Sequence, residues 1–172
     1  MSFNGTSDFV NLSSSDFITD YGNDTKGSIS LWFNTTDSGF MFSIAEGSTT
    51  HNVLNIQINP GAFQVNVVGE TGASITSNIL GDDVVNDGNW HNVVITQDGT
   101  TMKMYIDSVV QSRSAGSDWF NDLSNLTYVS ISSLFYDGGN LITYEGSLSD
   151  VKYYSGRALT QTEITTLYNT YN

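Results

Sequence analysis

Apolar and polar residues alternate along most of this chain with a period of two. In residues 27–33, Ile29, Leu31 and Phe33 alternate with Ser28, Ser30 and Trp32. Leu54, Ile56 and Ile58 share one parity of the next such run. Asn59, Pro60 and Gly61 then turn the chain into a run carrying Phe63, Val65 and Val67. Met102, Met104 and Ile106 alternate with Thr101, Lys103 and Tyr105 in the same way. Successive strand residues point to opposite faces, so this is the pattern of strands with one face in a core. Turn residues recur about every 8–12 positions, the spacing of an antiparallel sandwich or barrel. Residues 90–96 are apolar on both parities, as expected of an interior strand, and Trp90 at their start is expected in the core. Residues 124–146 read as two strands around a loop at Gly138 and Gly139.

One segment breaks the period. In residues 159–172, Ile164, Leu167, Tyr168 and Tyr171 follow helical spacing and give one apolar face. Thr160 is a natural N-cap, and Glu163 three residues on completes a capping box. Leu159 can pack on Ile164 as a hydrophobic staple. The pattern therefore predicts an all-β, two-sheet antiparallel sandwich with a short C-terminal α-helix, in one domain spanning 1–172.

Composition narrows the partners. The net charge is −13 with five Lys and Arg, a surface that repels phosphate backbones, so no nucleic acid is expected. There is no cysteine, which excludes disulfides and thiolate chemistry. No apolar run is long enough to span a bilayer, and the first residues lack the basic and apolar regions of a signal peptide. No membrane insertion is expected.

Candidate catalytic chemistry is thin. His51 and His91 lie on separate segments without metal-ligand spacing, and no G-x-S-x-G elbow is present. The four glutamates, Glu46, Glu70, Glu145 and Glu163, do not pair along a strand as glycosidase carboxylates would. His91 follows the turn pair Asp87 and Gly88, and it reads as a strand residue tied to a carboxylate or backbone group. The expectation is no enzyme. Trp32 alternates with serines and is assigned to the less buried face. Trp119, in a loop between Asp118 and Asp122, either stacks on a sugar or plugs one end of the sandwich. The acidic loops at Asp82 and Asp83, at Asp118 and Asp122, and at Asp137 are candidates for calcium, though none follows an EF-hand.

Several stretches together carry a resemblance: the opening FNGTSDFVNL, then GSISLWF, DGNWHNVVIT, MYIDSVV, and the closing GSLSDVKYYSGRALTQTEI. In this order and over essentially the whole chain, they resemble the laminin-G-like, concanavalin A-like jelly-roll domains. The resemblance implies two curved sheets face to face and a recognition module for glycans or proteins, often with calcium at one rim. Some relatives are hydrolases or lyases, but the E-x-D-x-x-E strand of the laminarinase type is missing. The aspartate that precedes the calcium turn in laminin-type domains is replaced by Val67 and Val68. Asp8 and Asp150 match an alternative calcium position. The hairpin tip Asp107–Ser108 stands where Asp-Gly is usual, less suited to a turn with positive φ.

Two functional classes follow. The first is a non-catalytic module that binds a carbohydrate or surface ligand through rim loops, with Trp119, Asp118, Asp122, Asp137 and Asn140 as ligand-binding residues and the turn at 46–51 beside them. The second is a structural phage virion protein, a capsid decoration or fibre module, whose partners are other virion proteins. Either is expected on an extracellular or virion surface. Oligomeric state and ligand identity are not legible in the sequence.

Overall fold

The computed structural model of the chain describes residues 1–13, 16–46, 52–59, 62–68, 75–81, 84–112, 116–136 and 140–171. The first elements in chain order are β1 (Ser2–Asn4), β2 (Val10–Asn11), the short helix α1 (Phe17–Tyr21), β3 (Gly27–Asn34) and β4 (Gly39–Ala45). They are followed by β5 (Val53–Asn59), β6 (Ala62–Val68), β7 (Ile75–Leu80), β8 (Trp90–Gln97), β9 (Met102–Ile106) and β10 (Val109–Val110). The chain ends with β11 (Tyr128–Ile131), β12 (Ser133–Tyr136), β13 (Asn140–Thr143), β14 (Glu145–Ser155) and the helix α2 (Gln161–Asn169).

Two antiparallel six-stranded sheets form the sandwich. The first runs β1-β14-β3-β8-β9-β10 and the second β2-β11-β4-β5-β6-β7, with β12 and β13 as a separate two-stranded hairpin. The alternating residues build the layer between the sheets. Leu31, Phe33, Val93, Met102 and Met104 from the first sheet meet Ile44, Leu54, Ile56, Phe63 and Val65 from the second, all fully buried. Each such side chain contributes about 1.5–3 kcal/mol relative to exposure, so this layer dominates the stability. The expected two-sheet sandwich and its C-terminal helix are thus observed.

The first sheet is also covered over part of its outward face. Helix α2 lies on its outward face, where Leu159 and Ile164 pack with Val94 and Tyr105 in a second, smaller core. This is why β8 carries apolar residues on both parities. Leu159 and Ile164 share that core, as the staple requires. The capping box forms as well, with Glu163 N–H on Thr160 Oγ1 and Thr160 N–H donating to Glu163 Oε2 at 2.8 Å. Ser28 Oγ accepts from Leu159 N at 2.9 Å and fixes the helix entry to β3. Helix α1 was not foreseen. It is one turn of helix whose Phe17 and Tyr21 rings meet edge-on at 5.1 Å, and Phe17 closes onto Phe42 and Phe120. No described helix is long and apolar enough to cross a membrane.

Among the described residues, strand β14 holds the first sheet's one irregular pairing. Ser149 faces Trp32 and Lys152 faces Ser30, so three steps on β14 match two on β3. This bulge sits at Asp150, whose φ is 51°. Before it, Gly146 at φ 140° packs against the Asn34 carbonyl, where no Cβ fits.

The Asp-Gly turn ahead of β8 is built as a carboxylate clamp. His91 bonds Asp107 Oδ2 through Nδ1 at 2.7 Å and Asp87 Oδ1 through Nε2 at 3.2 Å. Asp107 and Ser108 do adopt positive φ, 49° and 64°. The strain has a return: Asp107 Oδ1 also accepts from Asn92 N at 2.8 Å. Burial by itself would lower the His91 pKa, but hydrogen bonds and charge from Asp107 and Asp87 outweigh it and hold the ring above its ordinary 6.5. A ring that donates from both nitrogens is the imidazolium form. A raised folded pKa stabilises the fold fully below the unfolded value, and that contribution is lost as pH rises through the folded value. Accordingly, His91→Gln should lose most stability relative to the parent near about pH 5 and progressively less toward about pH 9. Thermal melts of both proteins across that range check this, and a pH-independent difference would contradict it.

Candidate ligand-binding face

Strand parity decides which residues of the second sheet can meet a ligand. Ile44, Leu54, Val65 and Val129 point into the core, so Ser43, Asn55, Asn66 and Ser130 beside them point away from it. The strand register lines these residues up. One rung runs Asn11, Ser130, Ser43, Asn55, Asn66 and Asn78, a polar residue at the same level on each of the six strands. Two residues along, Gln57 stands opposite Gln64.

These outward residues are nevertheless covered. Asn55, Gln64 and Asn66 are only 5–7% exposed, and Ser43 and Ser130 are buried. Part of the cover is the β12–β13 hairpin, which folds back over the sheet. Ser43 and Ser130 both donate to the Ser133 carbonyl, at 2.7 and 2.8 Å, and latch the hairpin down. Leu134 packs with Ala45, Val53 and Phe40 beside the latch. Phe135 then forms an aromatic wall, stacked on Tyr128 at 5.2 Å and edge-on to Phe9 at 5.2 Å.

The amides form a partly satisfied network. Gln57 and Asn59 donate to Gln64 Oε1 at 2.8 and 3.2 Å, while Asn66 reaches Asn55 Oδ1 only at 3.4 Å. Asn66 Oδ1 is buried without a hydrogen-bond partner. A buried acceptor left unpaired costs about 1–3 kcal/mol. An amide offers donors and an acceptor within one uncharged group, which suits ligands carrying hydroxyls. The face is a hydrogen-bonding floor with an aromatic wall.

The residues singled out from the sequence scatter. Asn140 opens β13 opposite Tyr136 and so lies on the hairpin over this face, whereas Asp137 and residues 47–51 lie outside the described residues. Glu46 at the same turn accepts from Asn52 at 2.9 Å. Trp119 is fully buried, its ring stacked on Phe120 at 4.9 Å, so it plugs the sandwich and offers no open ring to a sugar. Asp122 serves that plug, accepting from Trp119 N at 2.8 Å, and Asp118 is half-buried beside it. Trp90, expected in the core, is 49% exposed on the opposite sheet. Trp32, expected on a less buried face, is covered by a stack with Tyr168. Asp8 is exposed, and Asp150 is occupied by the Lys152 ammonium at 2.6 Å. The described residues bring no group of three or more acids or histidines together that could hold a metal ion. Asp82, Asp83 and His51 lie outside the described residues.

The sequence matches the concanavalin A-like lectin/glucanases superfamily over residues 4–165. The chain belongs to that superfamily. Among solved structures, it is similar to the Ruminococcus gnavus IT-sialidase CBM40 bound to α2,3-sialyllactose. The TM-score is 0.82 at 14% identity, covering 98% of this chain and 95% of that one. It is also similar to leech intramolecular trans-sialidase, with TM-score 0.80 and 14% identity over 96% of this chain and 26% of that one. The heptameric SAP-like pentraxin from Limulus polyphemus gives TM-score 0.66 at 16% identity, over 97% of this chain and 80% of that one. A comparison with curated protein sequences gave no match. At these identities the likeness establishes the concanavalin A-like fold.

The new position of Trp119 has a measurable consequence. Trp119→Ala should destabilise the domain by about 3–5 kcal/mol, the cost of emptying a large core site. Urea unfolding reads this directly, and a change below about 1 kcal/mol would place the ring outside the core.

Proposed function

We propose that this domain is a non-catalytic carbohydrate-recognition module that seats neutral glycan hydroxyls on the outward face of the second sheet. The observation that carries this reading is the polar rung across the six strands of the second sheet, beside the Tyr128–Phe135 wall. The amides along this face suit glycan hydroxyls, and the Tyr128–Phe135 wall suits the apolar face of a pyranose ring. Superfamily membership agrees with this class of function, but many functions share one fold, so the reading rests on the site. Where a glycosidase places two carboxylates, the described floor places amides, which neither protonate a leaving group nor attack a sugar.

Charge supports neutral over acidic sugars. Lys103 and Lys152 lie on strands of the first sheet, with Lys26 just before β3 and Arg157 just after β14. The remaining basic residue, Arg113, lies outside the described residues. In a chain of net charge −13, an amide floor favours uncharged polyols, whose binding depends little on ionic strength.

A glycan array followed by titration calorimetry tests this. The domain should bind neutral hexose-containing glycans in preference to sialylated ones. The double substitution Asn55→Ala with Asn66→Ala should weaken binding by about tenfold or more, from two hydrogen bonds of about 0.5–1.5 kcal/mol each. Absence of any glycan binding by the folded parent, or undiminished binding by the folded double variant, would overturn the proposal.

A further inference from the structure

We infer that the outward face of the first sheet carries a second sugar-binding site, a cleft for a single hexopyranose ring between Trp90 and Tyr171. The cleft has a volume of about 320 Å³ and is lined by Trp32, Trp90, Ser149 and Tyr171. It goes beyond the amide face, uses none of its residues and stands without it.

The register shows how the cleft is built. Trp32 is paired with Asn92 and Asn34 with Trp90, so the two indoles are diagonal neighbours on one face. Ser149 sits directly across from Trp32. Helix α2 supplies the other side. Tyr168 stacks on Trp32 at 5.7 Å with planes 8° apart, and Tyr171 meets the same indole edge-on at 5.9 Å. The Trp32 indole is therefore held in place by the helix, while Trp90 and Tyr171 stand 49% and 56% exposed beside it. Exposing two large rings beside a held indole runs against their burial preference, and it preorganises the cleft for a flat ligand.

The polar groups come from the β14 bulge. Strand parity alone would put Ser149 and Lys152, three residues apart, on opposite faces. The extra residue at Asp150 rephases the strand and brings both to the outward face. Lys152 Nζ is held by Asp150 Oδ2 at 2.6 Å and lies 5.8 Å from the Tyr171 ring centroid. Beside two exposed rings the cleft thus offers the Ser149 hydroxyl, with the Lys152–Asp150 ion pair next to Tyr171, and such a site can stack on the C–H face of a pyranose and bond a hydroxyl. Size selects the occupant. The volume is at the lower end for small-ligand sites, whereas a stable protein partner needs about 800 Å² of surface per side.

The test is an NMR titration of the labelled domain with methyl glucoside, methyl galactoside and methyl mannoside, read at the Trp90 and Trp32 indole N–H signals. At least one sugar should give saturable shifts with a dissociation constant on the order of millimolar. Tyr171→Ala should weaken binding read at Trp90 by about tenfold, and Trp90→Ala should remove the response at Trp32. Both rings are exposed, and circular dichroism verifies that the variants fold. No saturable indole shift with any of the three sugars, or shifts unchanged in both variants, would overturn the inference. Shifts confined to Asn55, Gln64 and Asn66 would overturn it and leave the amide face standing. Shifts confined to the two indoles would support it while counting against that face.

Discussion

Strand β14 pairs with β1 on one side and β3 on the other, and the register it keeps with β3 decides the facing of the whole first sheet. Leu148 meets Phe33 inside the core, and Tyr154 meets Ser28 under the helix. Because side chains alternate with a period of two, a slip of one residue would exchange the two sets. The core therefore enforces the register, and the register then sets every outward residue without contacting it. The polar rung on the second sheet arises in the same way. Ile44, Leu54 and Val65 hold the strands in step, and Ser43, Asn55 and Asn66 are brought into line as a result.

This dependence explains what could be read from the chain alone. The strands, the interior position of β8 and the capped helix α2 were legible because each is announced by local alternation or by a cap. Trp90 could have been placed correctly by its phase. It shares parity with Asn92 and Val94, while Val93 and Ile95 share the other parity and fill the core. Trp119 could not. Its burial follows from the short 3-10 turn at Phe120–Asp122, held by the Asp122 carboxylate, and such a turn leaves no periodic trace. The amide floor was invisible for a different reason. Each of its residues looks like an ordinary solvent-facing position, and only the pairing of six strands separated in sequence makes them a row.

The two sheets also divide their chemistry. The second sheet presents amides beneath a hairpin latched by two serines, a dense and uncharged surface. The first presents aromatic rings with one ion pair, and its outward face is shared with a helix. Amides discriminate by the direction of hydrogen bonds, whereas rings discriminate by shape and tolerate changes in hydroxyl pattern. One sandwich can thus carry a selective surface and a permissive one back to back, separated by a core that neither disturbs.

The facing of the last part of β14 depends on the Asp150 bulge being formed, since it takes up one residue more than the pleat opposite requires. Removing one residue there would restore a regular pleat with Lys152 still opposite Ser30, whereas pairing the full-length strand without the bulge would rotate everything up to Ser155 by half a turn about the strand axis. Tyr153 would be carried out toward the helix, and Tyr154 would be driven into the central layer. Loops elsewhere in the fold can lengthen or shorten without such a consequence. At this point the backbone keeps count: the extra residue is taken up in the bulge, or the strand beyond it turns inside out.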